Sequence, residues 1–276
     1  MILKGIAVFS LICTLALTAV LNVFCGWSLL LAPVWFAGCY LVGLLLVFLF
    51  MMTVLHPVDI TVPQEEDSPF YRRVMTLLIE LLAVLCRIRI TANGMEKLPR
   101  DGRFLLVCNH QNDIDPAALL LVFRKSQLAF ISKKENADMF AVGKFMHKTL
   151  CQMIDRENDR EALKTILKCI RLIQEDKVSV AVFPEGGIKE KYKLNPFRCG
   201  VFKIAQKANV PIVVCTISGT TPALHNIKRL RPTDVRVNLV GVIPAEELKG
   251  KNTVEIGERV HAMMQEDLGE SWKLET

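Results

Sequence analysis

Hydrophobic positions are spread unevenly along this chain. Residues 5–55 carry no charge at all, and the stretch divides into two apolar runs, 6–24 and 29–55. A helix needs about 20 apolar residues to cross a bilayer, so each run is long enough. Asn22 and Gly26-Trp27-Ser28 form a polar, turn-forming and interfacial break between them, and Pro33 falls near the start of the second run. The pattern predicts a retained helical hairpin. A cleaved signal peptide is the alternative, since Lys4 gives a positive start. Against it, the run is long and lacks a small-x-small cleavage site, and Phe24 before Cys25 is wrong for a lipoprotein.

From His56 the pattern changes. Residues 56–68, with Pro57, Pro63 and Glu65-Glu66-Asp67, read as an exposed linker. Over 69–85, Phe70, Val74, Leu77, Leu78, Leu81 and Leu85 share one side at helical period. Residues 87–91 alternate like a strand that Asn93-Gly94 ends. Short apolar runs predict strands at 104–108, 128–132, 152–154, 178–183, 211–217 and 235–242. Helices are predicted between and after them at 116–123, 140–150, 159–175, 201–207 and 254–268. Alternating strands and helices predict an α/β fold, a sheet flanked by helices. The expected organisation is a hydrophobic two-helix membrane anchor over 1–56, a linker and amphipathic helix over 57–92, and an α/β domain over 93–276.

Charge sharpens this only slightly. The formal net charge is +6, carried almost entirely after His56. That suits work beside an anionic membrane or on phosphorylated substrates. It is too diffuse for a nucleic-acid partner, and no recognition-motif spacing accompanies it. The nine cysteines include no C-x-x-C pair, so they read as reduced thiols, not as disulfides or a zinc site. With Lys4, Arg72 and Arg73, this places the α/β domain on the cytoplasmic side of the cell membrane. A hairpin embedded in one leaflet stays open.

Candidate chemistry sits at strand ends, where open α/β sheets collect ligands. Asn109-His110-Gln111-Asn112-Asp113-Ile114-Asp115-Pro116 follows one strand and enters a helix. His110 is suited to taking a proton from an alcohol, and Asp115 to holding its ring. Read plainly, Asp115-Pro116 is a helix-capping pair and His110 a structural histidine. Phe183-Pro184-Glu185-Gly186-Gly187 follows another strand and brings backbone close to a ligand, or simply turns. Ile154-Asp155-Arg156 offers a guanidinium for phosphate, or a surface ion pair. Val210-Pro211-Ile212-Val213 opens a buried strand. Lys133, Lys134, Arg198 and Lys203 are further candidates for a phosphate, or solvated surface cations. Cys108 reads as a core cysteine rather than a nucleophile.

The order of these blocks, His-x4-Asp, Ile-Asp-Arg, Phe-Pro-Glu-Gly and Val-Pro-Ile-Val, resembles the glycerolipid (lysophosphatidic acid) acyltransferase family from about residue 93 to 217. The resemblance implies direct transfer of an acyl chain from acyl-CoA or acyl carrier protein to the sn-2 hydroxyl of lysophosphatidic acid, at a bilayer. It implies His110 as general base, Asp115 orienting it, and no metal or cofactor. Arg156, Glu185, Gly186 and Pro211 match substrate-binding positions, and Gly187 and Lys189 complete the altered third block. Three departures stand out. Leu150 replaces the family's Gly and Met153 its Phe, and Gly187-Ile188-Lys189 stands where the family has Thr-Arg-Ser. Those departures bear on acceptor choice: glycerol 3-phosphate or another lysophospholipid are neighbouring readings. A membrane-anchored hydrolase and an idle lipid-binding protein are the readings of other classes.

Overall fold

The computed structural model describes residues 2–22, 28–190 and 192–273 and divides the chain into two compact units, 1–61 and 62–276. In the first, α1 (Ile2–Asn22) packs against α2 (Ala32–Leu55). Windows of 20 and 24 residues in these helices are long and apolar enough to cross a membrane. Ser10, Thr14 and Thr18 recur every fourth residue on a buried stripe of α1. Ser10 and Thr14 each donate to the carbonyl four residues back at 2.7 Å, so no hydroxyl there is left unbonded to face apolar neighbours. Gly43 of α2 lies against Ile6, where an added Cβ would come within 2.6 Å of the Ile6 side chain. Small residues at a helix seam with leucine and phenylalanine outside are the pattern of membrane helices. Val8, Ile12, Leu41, Leu45 and Phe48 are all exposed. The turn expected at 26–28 lies mostly outside the described residues.

The second unit is built on a seven-stranded sheet. Its strands are β1 (Ile88–Asn93), β2 (Leu105–Cys108), β3 (Leu128–Lys133), β4 (Gln152–Ile154), β5 (Ser179–Val182), β6 (Ile212–Ser218) and β7 (Thr233–Ile243). They lie in the order β1-β7-β6-β2-β5-β3-β4. All pairs are parallel except β6–β7. The chain between β6 and β7 is a short connection containing only α8 (Ala223–Lys228), and it returns directly alongside β6. Central strands are apolar without alternation because both faces are covered. Leu105, Val107, Val180 and Val214 face one core with α6 (Asp159–Gln174), α7 (Lys203–Ala208) and α9 (Thr253–Lys273). Leu106, Cys108, Val213 and Cys215 face the other, with α4 (Asp115–Val122). There α3 (Pro69–Leu85) packs against α4 and α5 (Phe140–Lys148). Residues 57–92 thus supply both α3 and β1 to this unit.

Because β2 to β6 run parallel, their carboxyl ends share one edge, where loops 109–114, 155–158 and 183–198 meet. The antiparallel turn of β7 brings its amino end to the same edge, since Ser218 pairs with Arg236. Its parallel partner β1 starts there too, with Ile88 opposite Thr233. Just before β4, Leu150 holds a φ of 61° and is buried beside Ala129, Leu172 and Val178. Here leucine adopts the left-handed conformation, and burial of its side chain offsets the strain.

Arg72 fastens α3 to this sheet from within. It pairs with Asp67 at 2.6 Å and donates to the Leu128 carbonyl at 2.9 Å and the Thr149 carbonyl at 3.3 Å. Arg72→Ala strands the Asp67 carboxylate in a nearly dry site. The expected loss is about 3–5 kcal/mol, read as a shift in the denaturation midpoint in detergent. A change within the error of that measurement would mean the pair is solvated.

Candidate active site

Residues 109–115 carry the chain from β2 into α4, and three side chains shape that loop. Asn109 clamps the strand exit to β6: it accepts from the Ile217 N–H at 2.7 Å and donates to the Ile217 carbonyl at 2.9 Å. Asp115 is fully buried at the first turn of α4. The N-cap position belongs to Ile114, which makes no side-chain cap bond. Instead of capping forward, Asp115 reaches back. Its Oδ2 lies 2.9 Å from Nδ1 of His110 and accepts the Gln111 and Asn112 N–H groups at 2.6 and 2.8 Å. A carboxylate at a helix N-terminus is also favoured by the helix dipole.

A carboxylate only accepts, so His110 carries its proton on Nδ1 and a lone pair on Nε2. The ring is 15% exposed. It stacks on Phe183 with centroids 4.2 Å apart and planes 14° apart, and Phe183 stacks in turn on Phe130. Ring plane, tautomer and reach are therefore all set before any ligand arrives.

Glu185 holds the loop from the other side. Its carboxylate is buried; Oε1 accepts the His110 N–H at 2.8 Å, and Oε2 accepts the Asn195 main-chain and side-chain N–H groups at 2.9 and 2.6 Å. Sequence reasoning assigned Glu185 to substrate binding, yet both its oxygens are engaged by the protein. Here it is a brace between two loops. Asn195 and Phe130 were missed, because nothing in their spacing marks them. Gln111 is also tied in, accepting the Tyr192 N–H at 3.2 Å.

Gly186 and Gly187 follow with φ of 73° and 147°, conformations that a side chain resists. Their bare backbone admits two guanidinium groups. A Cβ on Gly186 would lie 2.8 Å from Arg198 Nε, and one on Gly187 3.4 Å from Arg156 Nη1. Arg156 donates to the Gly186 carbonyl, and Arg198 donates to the Arg156 carbonyl at 3.2 Å. Burial first, then the neighbouring Arg198 charge, pull the Arg156 pKa below its usual value, though it stays a cation at neutral pH. Both arginines line a cavity of about 400 Å³ with Lys203. The rest of its wall is largely apolar, including Ile131, Ile154, Leu163, Ile166 and Val201.

Two of the expected residues stand apart. Lys189 is exposed and does not line this cavity. Pro211 lies at the amino end of β6, where its carbonyl accepts the Leu105 N–H at 3.0 Å. Since β2 runs from Leu105 toward His110, Pro211 is at the opposite edge of the sheet. The carboxyl end of β6, not its start, meets the site. Lys134 is taken by Asp155 at 2.9 Å.

The family model described as Acyltransferase matches residues 89–218, the stretch that carries these loops. A probable 1-acyl-sn-glycerol-3-phosphate acyltransferase of Mycoplasma pneumoniae is 30% identical over 63% of this chain and 66% of its own length. The 1-acyl-sn-glycerol-3-phosphate acyltransferase of Cocos nucifera is 29% identical over 67% of this chain and 59% of its own. The matched stretch thus spans less than two thirds of either relative. The crystal structure of the 1-acyl-sn-glycerophosphate (LPA) acyltransferase PlsC from Thermotoga maritima shares the fold, with a TM-score of 0.60 at 19% identity over 97% of both chains. Over these residues the chain is similar to 1-acyl-sn-glycerol-3-phosphate acyltransferases.

Glu185→Gln keeps one acceptor oxygen but turns an amide NH₂ toward donors at either His110 or Asn195. The expected loss is about 1–3 kcal/mol of stability by chemical denaturation, with a fall in kcat for any acyl transfer the enzyme performs. Unchanged stability would show that Glu185 is not the brace.

Proposed function

We propose that this protein moves a fatty acyl chain from acyl-CoA or acyl-acyl carrier protein to the sn-2 hydroxyl of lysophosphatidic acid, giving phosphatidic acid. The observation that carries the reading is the His110–Asp115 pair, 2.9 Å apart, at the same sheet edge as a cavity lined by Arg156, Arg198 and Lys203. In this reading His110 Nε2 takes the proton of the acceptor hydroxyl. The oxygen attacks the thioester carbonyl, and the tetrahedral intermediate collapses with rupture of the C–S bond. The imidazolium, stabilised by Asp115, returns the proton to the departing thiolate. A thioester is already activated, so one positioned base worth roughly 10²–10⁴-fold suffices beside proximity and oxyanion stabilisation. The step needs no metal or cofactor.

The cations suit the phosphate of the acceptor, since two guanidinium groups and an ammonium converge with only Asp159 opposing them on the cavity wall. Arg198 offers a guanidinium beside Gly186, compensating for the arginine missing at Ile188. The apolar walls suit an acyl chain. On this reading the apolar hairpin holds the enzyme in the cell membrane with the α/β unit on the cytoplasmic side, where thioester donors are found. The metal-hydrolase alternative finds little support: among the described residues, no three His, Cys, Asp or Glu side chains are grouped to hold a metal ion.

The test is transfer of a labelled acyl chain to lysophosphatidic acid in detergent, offering each donor in turn. Wild type is expected to form phosphatidic acid and His110→Ala to lose about 10²–10⁴-fold. Asp115→Asn should lower kcat more than it raises KM. Arg198→Ala should raise the acceptor KM about tenfold or more, by loss of a charge-assisted contact. Folded wild-type protein inactive with both donors would overturn the reading, as would full activity in His110→Ala.

A further inference from the structure

The edge of the sheet that bears His110 also carries, at its far side, a tip that the proposed reaction does not use. Arg87, between α3 and β1, and Leu230, between α8 and β7, both hold left-handed backbone, with φ of 56° and 53°. Glycine would take these turns without strain. The two turns are joined: Arg87 Nη1 donates to the Leu230 carbonyl at 2.6 Å, and the Arg87 carbonyl accepts the Thr233 N–H at 3.1 Å. Leu230 is 74% exposed, more than any other large apolar side chain among the described residues. Val84 and Leu85, at the end of α3, and Leu224, on α8, are exposed with it. Around them stand Arg87, Lys228, Arg229 and Arg231, all exposed. Among the described residues, no ion pair engages any of the four.

Solvated turns rarely show a bulky apolar tip inside a collar of unpaired cations, because water rewards only the cations. A bilayer with anionic headgroups rewards both: phosphates meet the cations and the hydrocarbon boundary takes the leucine. We propose that the Lys228–Arg231 turn, with the end of α3, is a membrane-docking tip. It inserts Leu230 beneath the headgroups of an anionic bilayer and turns the catalytic edge of the sheet toward that surface. The direction of docking rests on the acyltransferase reading, in which the acceptor is a membrane lipid; the contact itself does not.

The test uses the full chain in vesicles of phosphatidylcholine and phosphatidylglycerol. Trp27, Trp35 and Trp272 are replaced by Phe, and a single tryptophan is introduced by Leu230→Trp, by Val84→Trp, or by Val254→Trp on the exposed start of α9, away from this edge. With bromine on the lipid acyl chains, the indole at positions 230 and 84 is expected to lose most of its emission and the one at 254 to keep it. Arg229→Glu with Arg231→Glu should reverse the quenching at 230. Unquenched emission at both 230 and 84 in vesicle-bound, folded protein would overturn the proposal. So would emission at 230 that is blue-shifted yet insensitive to bromine, the sign of a protein partner. Quenching needs no turnover: a quenched indole at position 230 in a protein without acyl transfer would support the tip while sinking the acyltransferase reading. Where transfer is measurable, Leu230→Asp should raise KM for vesicle-embedded acceptor about tenfold and leave kcat on a monomeric short-chain acceptor unchanged.

Discussion

One buried oxygen organises the site. Asp115 Oδ2 gathers three N–H groups, from the His110 ring and from the main chain of Gln111 and Asn112. Two of them give the loop its shape and the third gives His110 its tautomer. A charged acceptor makes each bond stronger than a neutral one would be, and burial removes water as a competitor. The loop cannot relax without leaving a carboxylate unsatisfied in a dry site, so the geometry of the base is enforced by the folding of the domain. Glu185 applies the same device from the end of β5, and Asn109 ties the loop's own start to β6. Beyond the last ladder pairs, the ends of β5, β2 and β6 are thus tied by side chains bonded to main chain.

The cavity is organised by repulsion rather than attraction. Arg156 and Arg198 are held close by carbonyl groups, not by carboxylates: one donates to the Gly186 carbonyl, the other to that of Arg156. Dipoles steady the guanidinium groups without neutralising them, and burial, then the Arg198 charge, lowers the Arg156 pKa. A dianionic phosphate would relieve that tension. Asp159 is the carboxylate on the cavity wall, and neither guanidinium is ion-paired to it. The glycines matter for the same reason, since any side chain at 186 would meet Arg198.

Much of this was legible in the sequence, and the exceptions share a cause. Periodicity disclosed the two apolar helices and the strand–helix alternation, because those signals are local. Motif order singled out His110, Asp115 and Arg156, and the structure puts all three at one edge of the sheet. Contacts between distant segments left no trace: Asn195 reaching Glu185, Phe130 behind Phe183, and Arg198 against Gly186. The antiparallel course of β7 and the short helix α8 were hidden too, since alternation alone does not fix strand direction. Pro211 shows how little a block says about geometry. It belongs to a recognisable block, but a block names a strand and not which end of it meets the ligand. Leu150 shows how a departure can be silent: the left-handed turn survives the loss of glycine because the side chain finds a buried place.

The chemistry can be narrowed further by the cysteine two residues before His110. Cys108 would offer a covalent route, with the acyl group resting on sulfur between donor and acceptor. Its surroundings oppose this at every point. Burial raises its thiol pKa well above the usual value, and Cys215, Asp115 and Glu185 add to the rise. Among the described residues, the hydrogen bond from Sγ runs to Asn109 Oδ1 at 3.8 Å and none joins it to His110. A thiol must ionise to attack, and this one sits behind the strand in the core that α4 covers. Burial is the main cause of that rise, and the two carboxylates that hold the His110 loop add to it. This agrees with the proposed single displacement, in which the acceptor oxygen attacks the thioester itself.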